Sequence, residues 1–299
     1  MKICNFHADT PCRLIRRNLP FDHPSLQAGA YAHRPFDASF EVYAFFSEKA
    51  LDDSSAWDAF CARYRQFQKA VSASSLPCPR YILAVEDARL LDGSIERLST
   101  LADLGIRILT PVWGGESIIG GAHDTELGLT KFGREVAIEC FRLGIVLDVS
   151  HASDRLADEI FEMASTYQRP IIASHSNFRA LRAIKRNQSD RSYLKIASLG
   201  GVSGISMCPD HLGDGQVGLD EVVMQIEHGL SLDPTALVFG TDFDGIALPP
   251  HQIDDTSALP LIAERLIAKG YPEKAVDAVF FSNAIAFLSR AFPDLDLVL

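Results

Sequence analysis

The chain has no Cys-x-x-Cys pair, no Gly-x-x-x-x-Gly-Lys phosphate loop, and nowhere the ~20 uninterrupted apolar residues of a spanning helix. Its six cysteines (Cys4, Cys12, Cys61, Cys78, Cys140 and Cys208) are too scattered for a disulfide scaffold, so most are expected to be buried free thiols. Positive charge is also short: 28 Lys and Arg against 39 Asp and Glu leave a net charge of −11. That balance argues against a nucleic-acid partner, because phosphate binding needs clustered cations. Basic runs at 13–17 and 182–191 are local exceptions, and the first reads as solvated surface charge. The N-terminus enters an apolar run at once, without a secretory h-region. A cytoplasmic location and no membrane partner are therefore expected.

What is present is a large apolar complement, 47% of 299 residues, enough for one sizeable core. Eight short apolar runs stand at 2–7, 40–47, 80–86, 106–112, 144–150, 169–174, 199–207 and 236–241. Runs of this kind, bounded by Gly, Pro or Asp, are how strands buried on both faces look. Stretches of helical period separate most of them, at 56–71, 94–104, 130–143, 154–165, 189–198 and 218–230; two more, at 258–269 and 273–292, close the chain. Asp154 and Ser189 suit helix N-caps, and the segment 18–39 reads as an irregular excursion over one end of the fold. The expected fold is α/β, a (β/α)8 TIM-type barrel built as a single domain over 1–299. An open doubly wound sheet is the alternative, disfavoured because neither a Gly-x-Gly-x-x-Gly dinucleotide turn nor a phosphate loop is expected in the chain.

Five of the runs end in a potential metal ligand: His7 with Asp9, then Glu86, His151, His175 and Asp242. Strand ends converge at one face of a parallel barrel, which is where such folds place their chemistry. His7 and Asp9 are two apart and can share a face. Each is also open to a plainer account, as a structural histidine and a capping aspartate. Ser-His at 150–151 and Ser-His-Ser at 174–176 repeat one local setting 24 residues apart, the spacing of one βα unit. Imidazole with carboxylate suits Zn²⁺. Two divalent ions bridged by Glu86 would share a hydroxide able to attack a carbonyl carbon, with Asp242 placed to move the proton. In Gly-Thr-Asp-Phe-Asp-Gly (240–245), Asp244 reads as a turn residue.

The ordered set of motifs resembles the membrane (renal) dipeptidase family of binuclear zinc peptidases, which is amidohydrolase-like. The likeness runs through His-Ala-Asp-Thr-Pro (7–11), Ala-Val-Glu-Asp (84–87), Leu-Gly-Ile-Arg-Ile-Leu-Thr (104–110) and Gly-Leu-Thr-Lys-Phe-Gly-Arg-Glu (128–135). It continues in Asp-Val-Ser-His (148–151), Pro-Ile-Ile-Ala-Ser-His-Ser (170–176), Arg-Asn (186–187) and Gly-Thr-Asp-Phe-Asp-Gly (240–245). The resemblance implies one zinc on His7, Asp9 and Glu86, and a second on Glu86, His151 and His175, two Zn²⁺ per chain. It further implies that Asp242 handles protons at the first metal, that Arg186 holds the substrate's terminal carboxylate, and that the substrate is a dipeptide, with a D-residue tolerated at the carboxyl side. Homodimers occur in the family.

Two departures qualify the likeness. Trp113 stands where the family carries a substrate-contacting histidine, and serves either as substrate contact or as wall packing. His123 or His211 is placed to compensate from a loop. Glu86 is followed by Asp87 rather than glycine. The alternatives to a dipeptidase are a binuclear amidohydrolase acting on another small amide, diverged at Trp113, and a metal-binding protein without turnover.

Overall fold

In the computed structural model, which describes residues 1–47 and 53–295, all eight expected strands form and pair in parallel. They are β1 (Lys2–Ala8), β2 (Ala38–Phe46), β3 (Arg80–Glu86), β4 (Ile106–Thr110), β5 (Val146–Asp148), β6 (Ile171–Ile172), β7 (Ser203–Ile205) and β8 (Leu237–Phe239). Their order around the sheet is β6-β5-β4-β3-β2-β1-β8-β7. A parallel bridge between Ala173 and Ser203 joins the two ends. It is carried by Ala173 N to Val202 O at 3.1 Å and Gly204 N to Ala173 O at 2.8 Å. The fold is thus the (β/α)8 barrel and not an open doubly wound sheet.

The helices follow in chain order: α1 (Thr10–Arg17), α2 (Asp53–Ser72), α3 (Arg97–Asp103), α4 (Lys131–Leu143), α5 (Asp154–Tyr167) and α6 (Asp190–Ser198). Then come α7 (Pro209–Leu212), α8 (Leu219–Leu232), α9 (Pro260–Ala268), α10 (Glu273–Asp277) and α11 (Asn283–Ala291). Outward strand residues such as Leu83, Val85 and Leu147 pack with these helices in one continuous core. Inward residues from every strand or its first turn, Phe6, Val42, Ala84, Ile108, Val146, Ile172, Val202 and Val238 among them, form a second cluster. Phe287 and Leu288 of α11 complete it, with the Phe287 ring edge-on to Phe6 at 5.7 Å. The interior is filled with side chains and leaves only one end of the barrel for chemistry.

Several local expectations are corrected. The N-cap of α5 is Ser153, whose hydroxyl accepts from Leu156 N at 3.0 Å, and Asp154 is the first helical residue. Ser189 does cap α6, accepting from Ser192 N at 3.1 Å. The stretch expected as one helix over 273–292 is broken by a π-helical segment at Ala278–Ser282. The basic run 13–17 lies on α1 beside the barrel mouth, where Arg13 Nε is 3.4 Å from Asp244 Oδ1. A Gly-x-Gly-x-x-Gly at 213–218 connects two helices rather than following a strand, which is not the dinucleotide setting. The excursion expected over 18–39 ends at 37, where β2 begins, and it does cross the mouth: Gln27 N donates to Asp244 Oδ1 at 2.8 Å, and Asp244 N returns a bond to Gln27 Oε1 at 2.7 Å.

One irregularity aims the site. Asn5 of β1 lies opposite Glu41 but Ala8 lies opposite Tyr43, so three steps on β1 match two on β2. This β-bulge resets the alternation of faces. Phe6 and His7, adjacent in sequence, both turn inward as a result, the first into the filled interior and the second into the mouth.

Glycines allow the barrel to close tightly beneath the ligands. A Cβ on Gly240 would fall 1.6 Å from Ser174 O and 3.1 Å from His175 Cα. Gly240→Ala is expected to destabilise the fold by about 2–3 kcal/mol through overpacking. Urea denaturation of the purified variant measures this, and wild-type stability would contradict it.

Candidate metal centre

Six side chains from five strand ends meet at the mouth. His7 and Asp9 close β1, Glu86 is the last residue of β3, and His151, His175 and Asp242 each stand three residues beyond β5, β6 and β8. His151 and Asp242 hold left-handed backbone conformations, with φ of 69° and 62°. Such conformations are costly for residues other than glycine and recur where geometry serves function.

Glu86 is the centre of the cluster. Its Oε1 lies 3.0 Å from His151 Nε2 and 3.5 Å from His175 Nε2, and its Oε2 lies 3.6 Å from His7 Nε2. Three groups of donor atoms fall within 4.8 Å of one another: His7, Asp9 and Glu86; Glu86, His151 and His175; His7, His175 and Asp242. The six residues singled out as metal ligands are therefore brought together, with Glu86 common to two of the groups.

A buried network sets the histidine tautomer. Asp148, fully buried in β5, accepts from Ser150 N at 2.9 Å and Ser174 N at 2.8 Å on Oδ1. Its Oδ2 accepts from Thr110 Oγ1 at 2.7 Å and Ser174 Oγ at 2.6 Å. Having given its proton to Asp148, the Ser174 hydroxyl can only accept from His175 Nδ1, at 2.7 Å. His175 then carries a lone pair on Nε2, 2.9 Å from His151 Nε2. His151 Nε2 in turn faces the donor Arg186 Nη2 at 2.9 Å, which assigns it a lone pair as well. Two imidazole lone pairs and a carboxylate oxygen thus converge on one point. His7 Nε2 and Asp9 Oδ1 are also enclosed without a hydrogen-bond partner. Orphaned acceptors in this number cost ~1–3 kcal/mol each unless something positive satisfies them. The donor set, nitrogen with carboxylate oxygen, fits divalent zinc-like ions.

The electrostatics agree. Burial pushes Glu86 up to about 8 and Asp242 up to about 6. It lifts Asp9 well above the carboxylate range, and the charge of Glu86 adds to the effect. His151 and His175 are held well below the ordinary imidazole value by burial first and then by the neighbouring imidazoles and the Arg186 charge. Neutral histidines beside crowded carboxylates are the ligand chemistry that a divalent cation binds.

Above the ligands opens a cavity of about 880 Å³ whose wall includes Phe46, Trp113, His123, Arg186, His211 and Leu248. Trp113 lies 5.0 Å from the Phe46 ring and 5.9 Å from that of His151, which makes it part of the wall. Arg186 is buried beside the ligands, with Nη1 on Ser176 Oγ at 3.3 Å and Nη2 on His175 O at 3.1 Å. His123 is drawn to the site by its backbone, His123 N donating to His151 O at 2.7 Å. Asp244 is no ligand, since its carboxylate is taken up by Thr10, Gln27 and Ala28.

A model of the membrane dipeptidase family (peptidase family M19) matches residues 47–291. The chain belongs to the membrane dipeptidase family. The matched span begins after β1, so His7 and Asp9 enter the site through the fold. Human dipeptidase 3 is 27% identical over 262 residues, 83% of this chain and 52% of that protein; the chain spans about half the length of these relatives. An uncharacterised protein from the pqqA 5′ region of Klebsiella pneumoniae is 29% identical over 224 residues, 70% of this chain and 80% of its own. Among solved structures, the metallo peptidase dipeptidase AC of family M19 superposes with a TM-score of 0.89 at 22% identity, covering 98% of this chain and 99% of that one. A metallo peptidase from Rhodobacter sphaeroides, liganded with a phosphinate mimic of the dipeptide L-Ala-D-Ala, gives a TM-score of 0.87 at 21% identity, with coverage of 98% and 99%. No helix among the described residues is long and apolar enough to cross a membrane.

Asp148 and Ser174 are supporting residues the sequence hides, because nothing marks a strand aspartate as the support of a ligand that follows the neighbouring strand. Asp148→Asn is expected to weaken metal binding about 10–100-fold by releasing Ser174 and His175. Competition with a calibrated chelator measures it, and unchanged affinity would remove Asp148 from the account. Metal uptake should also release protons. Glu86, at about 8 in the metal-free chain, is mostly protonated at pH 7 and must lose that proton to bind a cation. Affinity therefore rises with pH up to about 8. Calorimetry in buffers of differing ionisation enthalpy reads the proton count, and zero release at pH 7 would contradict the buried-carboxylate picture.

Proposed function

We propose that the chain is a zinc-dependent dipeptidase that hydrolyses the peptide bond of dipeptides, including those with a D-residue at the carboxyl side. The observation carrying this is the meeting of two donor groups on Glu86 directly beside a buried arginine, at the floor of one cavity. One ion would be held by His7, Asp9 and Glu86, and another by Glu86, His151 and His175. Such ions supply Lewis acidity for a carbonyl oxygen and generate a nucleophile from water at neutral pH.

The chain's own residues do the rest. Arg186 binds the terminal carboxylate through a planar fork, which orients the peptide and places the scissile amide over Glu86. Asp242, within reach of His7 and His175, takes the proton of the attacking water and returns it to the departing amine. The new carbon–oxygen bond replaces the carbon–nitrogen bond, and the proton ends on the free amino group. Recognition through the carboxylate leaves the chirality of the last residue weakly read. The dipeptide mimic held by the Rhodobacter sphaeroides structure, with its D-alanine end, supports that choice.

Trp113 favours one competing account, in which the wall has diverged and the substrate is another small amide such as an N-acyl amino acid. A panel of L,L- and L,D-dipeptides with N-acyl amino acids separates the two. Dipeptide turnover that chelation abolishes and Zn²⁺ restores is the expected result. Turnover of the N-acyl compounds alone selects the competitor, and silence across the panel leaves a metal-binding protein without catalysis. Arg186→Ala is expected to raise KM for free-carboxylate substrates about 10–100-fold, the worth of a charge-assisted hydrogen bond. An unchanged KM would reject its role.

A further inference from the structure

A second cavity, of about 20 Å³, shares His151 and Arg186 with the cavity at the mouth. It lies between the first turn of α5 and the loop from Ser176 to Gln188, and Ala157, Asn187 and Gln188 are also among its walls. His151, Arg186, Asn187 and Gln188 are each at least nine-tenths buried. Each also has one enclosed side-chain atom without a hydrogen-bond partner among the described residues: His151 Nδ1, Arg186 Nε, Asn187 Oδ1 and Gln188 Oε1. Buried polar groups of this kind are normally satisfied, by protein or by ordered water.

The other contacts of these four side chains fix which of the atoms donate. Gln188 Nε2 donates to Ser176 O at 3.0 Å and to Ser203 Oγ at 2.6 Å. Asn187 Nδ2 donates to Arg182 O at 3.0 Å and to His211 O at 2.9 Å. A carbonyl oxygen only accepts, so neither amide can be turned over, and Gln188 Oε1 and Asn187 Oδ1 are acceptors. Arg186 engages Ser176 Oγ through Nη1, and His175 O and His151 Nε2 through Nη2, which leaves its Nε–H. The neutral His151 ring carries its lone pair on Nε2, against Arg186 Nη2, and its proton therefore on Nδ1. Two donors and two acceptors define the ligand. An anion would meet two amide oxygens, and a cation would meet two N–H groups. Water offers two lone pairs and two protons, and one molecule needs roughly 10–15 Å³.

We propose that this chamber is a binding site for one water molecule, which accepts from His151 Nδ1 and Arg186 Nε and donates to Gln188 Oε1 and Asn187 Oδ1. The water does for His151 what the Ser174 hydroxyl does for His175, fixing the ring through the nitrogen that faces away from the ions. It also ties the loop after β5 to the loop carrying Arg186. Its effect on metal affinity rests on the metal centre proposed above; the water itself does not.

High-resolution diffraction from wild-type crystals grown with Zn²⁺ reads the site directly. The expected result is one water with bonds of about 2.7–3.2 Å to both His151 Nδ1 and Arg186 Nε. A chamber without a water, or a water bonded to only one of the two, overturns the proposal. Ala157→Val and Ala157→Ser test the consequence while leaving all four polar groups in place. Valine adds two methyl groups to the chamber wall, and its displacement of the water is expected to weaken Zn²⁺ binding about 10–100-fold in competition with a chelator. The serine hydroxyl can stand in for the water and should keep the affinity close to that of the wild type. Wild-type affinity in the valine variant, or equal losses in both, overturns the link between the water and the metal ligand. The diffraction result decides the water site whether or not the valine variant folds. A wild type that binds no Zn²⁺ overturns the metal centre instead, a result distinct from these.

Discussion

A buried carboxylate, Glu86, stands where three imidazoles turn their Nε2 atoms towards it, and the barrel mouth is organised around the cost of that burial. An ionised carboxylate out of water is expensive unless paired, and neutral histidines cannot pair it. Arg186 offsets part of the cost, yet burial still raises Glu86 to about 8. The remaining imbalance is what a cation resolves. Each neighbouring feature either brings a further donor atom to this point or prevents one from turning away.

The support is built in layers. Asp148 accepts four hydrogen bonds and so directs Ser174, which directs His175. Gly204 and Gly240 let β7 and β8 pass against the Ser174 carbonyl, so the histidine loop cannot retreat. The bulge in β1 turns His7 inward, and reciprocal bonds between Gln27 and Asp244 pin the excursion across the mouth. Left-handed backbone at His151 and Asp242 is tolerated because this frame over-determines it. Beneath it the packed interior, plugged by Phe287, supplies a rigid floor.

Much of this was legible in the chain. Parallel strands buried on both faces leave short apolar runs, and the residue that ends each run must lie at one end of the barrel; that logic located His7, Asp9, Glu86, His151, His175 and Asp242. What stayed hidden depends on contacts between distant segments. Asp148 looks like any strand residue until Ser174 and Thr110 are beside it. The β1 bulge leaves no trace in residue type, and barrel closure rests on the Ala173–Ser203 bridge between two very short strands. Ser153 and Asp154 are both good caps, and tertiary placement of Leu127 O against the Ser153 hydroxyl accompanies the choice of the first.

The central claim is that these six strand-end groups form one two-ion centre shared through Glu86. Anomalous diffraction at the zinc edge, on crystals grown with Zn²⁺, tests it directly. The account predicts two peaks flanking Glu86, one against His7 and Asp9 and one against His151 and His175. A single peak, or two that do not share Glu86, would contradict it.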